Sequence, residues 1–205
     1  MKSNQNHWDK IFKNSEYSNL GWYEDEYSQT LKFLNYIPTI DKPTVFITGV
    51  GTSTLAQCLL EKEYKLILND ISLEAINKLK NQLSIYKDIT YLCADISINI
   101  DKDIPKSDIW FDRAVLHFLL EEQQIQNYFD NLKNNIKKDG YALFSEFEKD
   151  GATSCAGLDV HRYSIEELSS RLGESFSLVN QEHYIYTNPA GNTRKYIYAL
   201  YKRIS

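Results

Sequence analysis

"VFITGVGTST", Val45 to Thr54, decides the fold. The run "TVFIT" (44–48) is short, apolar and rich in β-branched residues, and it stops at Gly49, which predicts a buried strand. Gly51 follows one residue later, and "STLAQCLLEK" then reads as a helix capped by Ser53 or Thr52. A strand, a glycine turn and a helix in that order admit two explanations. The turn brings backbone close to a ligand, or it packs a helix tightly.

The same alternation continues on both sides. "KLILN" (65–69) and "ITYLC" (89–93) read as strands two and three. Between them, "SLEAINKLKNQL" is a helix capped by Ser72, with Leu73, Ile76, Leu79 and Leu83 on one face. "SDIWFD" (107–112) is a fourth strand. Ile125, Phe129, Leu132 and Ile136 form a helical stripe that Lys137, Lys138 and Gly140 are expected to end. "YALFSEF" (141–147) is strand five, and Ser164 with Glu167 forms a capping box ahead of another helix. The tail differs: "SFSLVNQEHYIYT" and "RKYIYALYKR" flank the turn "NPAGN" (188–192) as an antiparallel pair. The expected fold is α/β, a doubly wound, mostly parallel seven-stranded sheet with a C-terminal antiparallel hairpin and helices on both faces. One domain spans 1–205, with a core over 41–205. Helices near 5–14 and 27–36, within residues 1–40, are placed as a lid over the strand ends.

Composition sets broad limits. The chain has 205 residues, enough for one domain with a real core, and a net charge of −5 with no basic stretch. Neither a nucleic-acid footprint nor a membrane span is expected. The N-terminal "MKSNQNHWDK" lacks the apolar core of a signal peptide. Cys58, Cys93 and Cys155 are far apart, without metal-ligand spacing, and read as reduced core thiols. No metal site is assigned, and the predicted location is cytoplasmic. Oligomeric state is not legible.

In such sheets ligands bind at the carboxyl ends of the strands. Asp70 ends strand two, 19 residues past Gly51, where a carboxylate can accept hydrogen bonds from both hydroxyls of a ribose. Its other reading is a turn residue capping the helix that begins at Ser72. Asp95 follows strand three and can accept from an adenine amino group. In these positions the sequence is similar to the class I (Rossmann-like) S-adenosylmethionine-dependent methyltransferases. "TGVGTST" resembles their glycine loop, "LILNDIS" their ribose motif and "CADI" their adenine motif. "HWDKIF", "GWYEDE", "DIWFDRAVLHFL" and "CAGLDVHRYS" resemble a subgroup that is more distantly similar to protein-lysine methyltransferases.

The resemblance implies an enzyme with S-adenosylmethionine as cofactor. Gly49, Gly51 and Ser53 would border its methionine part, and Thr52 lies in the same turn. Asp70 would take the ribose, Ile71 would pack on adenine, and Asp95, beside Ile96, would meet the adenine amino group. The family usually has an acid two positions before the first glycine, where this chain has Ile47. That departure keeps a cofactor-binding protein with little catalysis open. The glycine turn alone keeps a nucleotide-dependent oxidoreductase open, although the terminal hairpin and Asp95 count against it.

The catalytic half is read from "FDRAVLHFL", which follows strand four. Asp112 could contact the cofactor, or orient or deprotonate an acceptor. Arg113 could bind an acidic substrate or neutralise Asp112, and His117 titrates near neutral pH and could act as a base. The structural alternative is an Asp112–Arg113 pair with His117 in the core. Trp22 and Tyr23 offer flat faces that suit a sulfonium. Glu24, Asp25 and Glu26 read as a solvated helix start, with attraction of a cationic acceptor as the rival reading. The acceptor is an unidentified small molecule or a protein, with its N, O or S as the nucleophile.

Overall fold

The computed structural model describes residues 2–100 and 103–205. Five strands run parallel: β1 (Thr44–Thr48), β2 (Lys65–Asp70), β3 (Ile89–Cys93), β4 (Ser107–Arg113) and β5 (Ile136–Phe147). A two-stranded turn, β6 (Ser154–Cys155) with β7 (Leu158–Asp159), was not expected. β8 (Phe176–Thr187) and β9 (Thr193–Arg203) are the terminal hairpin, and β9 also pairs antiparallel with β5. The order β3-β2-β1-β4-β5-β9-β8 matches the seven-stranded expectation. It reverses between β1 and β4, which opens a crevice at the carboxyl ends there.

Alternation along the strands builds two cores. Ile47, Leu68, Ile109 and Phe111 face α2 (Ser28–Leu34), α3 (Leu55–Leu60) and α4 (Leu73–Gln82). Phe46, Ile67, Trp110 and Phe144 face α5 (Glu122–Asn135) and α6 (Ile165–Leu172). The first helix, α1 (Lys2–Asn14), packs on α4. There Asp9 accepts from the Ser72 hydroxyl at 2.6 Å, and Lys78 donates to the Phe12 carbonyl at 2.5 Å.

Several local expectations change. α5 stops at Asn135, and Ile136 already belongs to β5. Lys137, Lys138 and Gly140 therefore lie in the strand. Ile136 pairs with Ser107 and Tyr141 with Ile109, so the ladder slips there, and Asp139 takes the positive φ of 62°. Gly140 is demanded by closeness, since a Cβ there would sit 2.9 Å from the Asp108 carbonyl oxygen. Ser72 caps α4 as expected, but Leu73 is 48% exposed. Thr54 precedes α3, while the Ser53 hydroxyl accepts from the Leu55 amide. Ser164 caps α6, but the Glu167 carboxylate turns away to Lys149 and His161. The cysteines are free but not core residues: Cys93 is exposed, and Cys58 and Cys155 are half-buried.

Candidate active site

A cleft with about 860 Å³ of empty space, partly open to solvent, lies at the carboxyl ends of the strands. The turn after β1 contributes Gly49, the end of β2 contributes Asp70 with Ile71 just beyond it, and the turn after β3 contributes Asp95 and Ile96. Arg113 to Val115, Phe118 and Leu119 come from the end of β4 and beyond. Trp8 and Phe12 of α1, with Trp22, form the outer wall. Trp8 and Phe12 lie in "HWDKIF" and in the helix expected near 5–14, but neither was singled out as a site residue. Their i, i+4 spacing was the available signal.

The two glycines differ in role. Gly49 has φ +49°, and a Cβ there would lie 2.2 Å from Val115 Cγ2. Gly51 has φ +56°, and a Cβ there would press on the Phe12 ring at 3.1 Å. Gly49 lines the cleft, whereas Gly51 and the buried Thr52 do not. The Gly51 amide instead donates to Asp70 Oδ2 at 2.8 Å, and the Ser72 amide donates to Asp70 Oδ1 at 2.8 Å. Asp70 therefore caps the turn and also borders the cleft. Each oxygen keeps acceptor capacity. Burial pushes its carboxyl up to about 6, against the pull of the Ser72 and Gly51 amides. Asp95 Oδ1 accepts from the Ser97 amide and hydroxyl at 2.9 and 2.6 Å.

Arg113 ties the N-terminal segment to the sheet. Its guanidinium donates to the Trp22 carbonyl at 3.0 Å and lies 3.1 Å from Glu24 Oε1. It also stacks near the Tyr186 and Tyr196 rings, 5.2 and 5.7 Å from their centroids. Arg113 therefore pairs with Glu24 rather than with Asp112. Glu24 is buried, so the solvated-helix reading fails for it; Asp25 and Glu26 are exposed but precede α2, whose first turn holds no acid. Burial pushes the Glu24 carboxyl up, opposed by Arg113. Tyr23 does not line the cleft. Its ring packs on Tyr17 and its carbonyl accepts from the Tyr186 hydroxyl.

The structure does not bring Asp112 or His117 to the cleft. Asp112 shares a face with Trp110 and is fully buried. Its Oδ1 accepts from the Val115 amide at 3.0 Å, and its Oδ2 accepts from the Tyr128 hydroxyl at 2.6 Å. His117 is also fully buried, with Nδ1 3.1 Å from Glu146 Oε2. Burial holds its pKa down at about 3, so the ring is neutral at physiological pH. Burial pushes Glu146 up to about 8, and burial with the neighbouring Glu146 raises Asp112 well above the carboxylate range. Together these groups are a sealed acid cluster that anchors the turn after β4. Glu146 was missed in the sequence. Its signal was a lone charge on the Ala142–Phe144 face of an apolar strand.

A second cavity, with about 700 Å³ of empty space, shares Trp22 and Cys155 with the cleft. Phe147, Tyr196 and Arg194 are also on its lining. Arg194 donates to the Thr193 carbonyl at 2.9 Å. Burial raises the Cys155 thiol to about 11, so it stays protonated. His161 Nε2 bonds Glu167 Oε1 at 2.6 Å. Among the described residues no helix is long and apolar enough to cross a membrane.

No protein-family model matches the sequence. Phosphoethanolamine N-methyltransferase 3 of Arabidopsis thaliana is 28% identical over 116 residues, covering 56% of this chain. The match spans only 24% of that relative's length. An S-adenosylmethionine-dependent methyltransferase from Anabaena variabilis superposes with a TM-score of 0.78 at 15% identity, covering 98% of this chain and 94% of that one. The N-methyltransferase NodS from Bradyrhizobium japonicum, in complex with S-adenosylhomocysteine, gives 0.70 at 13% identity, covering 97% and 100%. Strand order, terminal hairpin and these superpositions agree: the chain has the class I S-adenosylmethionine-dependent methyltransferase fold.

Proposed function

We propose that this protein is an S-adenosylmethionine-dependent methyltransferase that acts on a nucleophilic N, O or S of a small molecule. One observation carries the reading: Gly49, Asp70, Ile71, Asp95 and Ile96 line a single cleft at the switch point of this fold. The donor set suits the cofactor. Asp70 and Asp95 have acceptor capacity left for hydroxyl and amino groups, while Ile71, Ile96 and Leu119 offer apolar walls to a flat base. When bound, S-adenosylmethionine supplies a methyl group already activated on a sulfonium. The chain's task is to align and to exclude water. Trp8, Trp22 and Phe118 supply the dry wall, and Trp22 stands where the two cavities meet.

No histidine lines the cleft among the described residues. Its titratable side chains are Asp70, Asp95, Arg113 and Cys155. The reading therefore gives the acceptor its own lone pair and no protein base, so the rate should rise with pH through the acceptor's own pKa. The second cavity is the proposed acceptor site. Arg194 on its lining favours a neutral or anionic small molecule over a lysine ammonium, the alternative acceptor. Free thiols support a cytoplasmic setting.

The test measures S-adenosylhomocysteine release with a panel of small carboxylate-bearing amines, phenols and thiols, against a lysine peptide. Turnover of a panel member, with KM raised at least about tenfold in Arg194→Ala, is expected. Turnover of the peptide alone would overturn the small-molecule reading.

A further inference from the structure

A third cavity lies behind the cleft, between the end of β1 and the N-terminal segment, with about 490 Å³ of empty space. It shares Trp22, Gly49 and Arg113 with the cleft. Ile47 and Phe111 form apolar wall, and β1 brings no charge to it. Yet two charged groups in that wall have an unpartnered buried atom each. Glu24, with a side chain only 7% exposed, uses Oε1 for Arg113 and leaves Oε2 without a hydrogen-bond partner. Arg113 uses both terminal nitrogens and leaves Nε without one. Around them sit three linked hydroxyls. Tyr17 and Tyr27 are 3.0 Å apart, and Tyr27 lies 3.1 Å from Ser53 Oγ.

A buried carboxylate oxygen without a donor is costly, and the cost is repaid when a ligand supplies the donor. The missing complement is a cation with N–H groups for Oε2, next to a group that accepts from Nε and the hydroxyls. An α-amino acid carries both on adjacent atoms. We propose that this cavity receives the zwitterionic end of S-adenosylmethionine, with Glu24 binding the ammonium and Arg113 Nε and the hydroxyl cluster facing the carboxylate. The inference rests on the cofactor reading above. Glu24, from the segment before α2, thus supplies the charge that Ile47 does not. Because Glu24 is held by Arg113, the ammonium site exists only while the N-terminal segment is docked on the sheet.

The test is calorimetric and needs no acceptor. S-Adenosylhomocysteine is compared with 5′-methylthioadenosine, which lacks the amino-acid end, on wild type and Glu24→Gln. The variant should bind S-adenosylhomocysteine about 10- to 100-fold more weakly and 5′-methylthioadenosine unchanged. An equal loss for both ligands, or no loss, overturns the inference while leaving the cofactor reading standing. Wild type that binds neither ligand overturns both. Should Glu24→Gln fail to fold, the wild type decides alone. An analogue of S-adenosylhomocysteine lacking only the α-amino group should bind about tenfold more weakly, and equal affinity overturns the inference.

Discussion

Asp112 and Arg113 are neighbours in sequence and opposites in setting. Asp112 points into the core beneath α5 and joins Tyr128, Glu146 and His117 in a sealed cluster. Arg113 points the other way and reaches the cleft, Trp22 and Glu24. The period of two along a strand sorts consecutive ionisable residues into different jobs. One cluster fixes the turn that follows β4, and the other shapes a binding surface. Ionisable residues near a strand tip are therefore not evidence of catalysis until their face is known.

The comparison breaks first at Asp112. Asp112→Ala strands the Val115 amide, the Tyr128 hydroxyl and a buried Glu146, and should cost about 3 kcal/mol in denaturant unfolding. The protein that remains folded should bind S-adenosylhomocysteine normally. Unchanged stability with lost binding would place Asp112 in the cleft after all.

Stability against pH probes the same cluster. Glu146 is raised from 4.5 to about 8, so the folded state holds its proton more tightly. Its contribution is complete below pH 4.5 and is lost as pH rises toward 8. His117, lowered from 6.5 to about 3, works the other way: its contribution is complete above 6.5 and fades on acidification. Between pH 6.5 and 8 the loss from Glu146 is unopposed, and Asp112 shifts in the same direction. Glu146 alone should lower stability by up to about 2 kcal/mol across that window. Glu146→Gln should flatten the slope, and a wild type whose stability rises there would contradict the assignment.

On the cleft side, Asp95→Ala should weaken S-adenosylhomocysteine about tenfold with little change in unfolding midpoint, as expected for one exposed-side acceptor. Equal weakening and destabilisation would make Asp95 merely the partner of Ser97. The smallest effect is expected at His117. His117→Asn, compared per folded molecule, should keep turnover within a few-fold and leave the pH–rate profile in place. A loss of 100-fold or more would restore it as a base.

What was legible follows from range. The β1 turn, the positions of Asp70 and Asp95 and the final hairpin are local patterns, and they carried the fold. The end of α5 misled because two lysines and a glycine imitate a helix stop, whereas the register of β4 against β5 determines the ladder there. The faces of Asp112 and His117 were hidden. Apolar residues flank "FDRAVLHFL" on both sides, so nothing local marks the cleft side. Glu24 was misread because its burial comes from Arg113 on a distant strand.

The central claim is that the cleft at the ends of β1 to β4 holds S-adenosylmethionine. Calorimetric titration of the wild type with S-adenosylhomocysteine tests it most directly. One site per chain with a micromolar-range Kd, and a melting temperature that rises with ligand, is the expected result. Absence of both heat and stabilisation at millimolar ligand would contradict the claim and leave a methyltransferase fold without its cofactor.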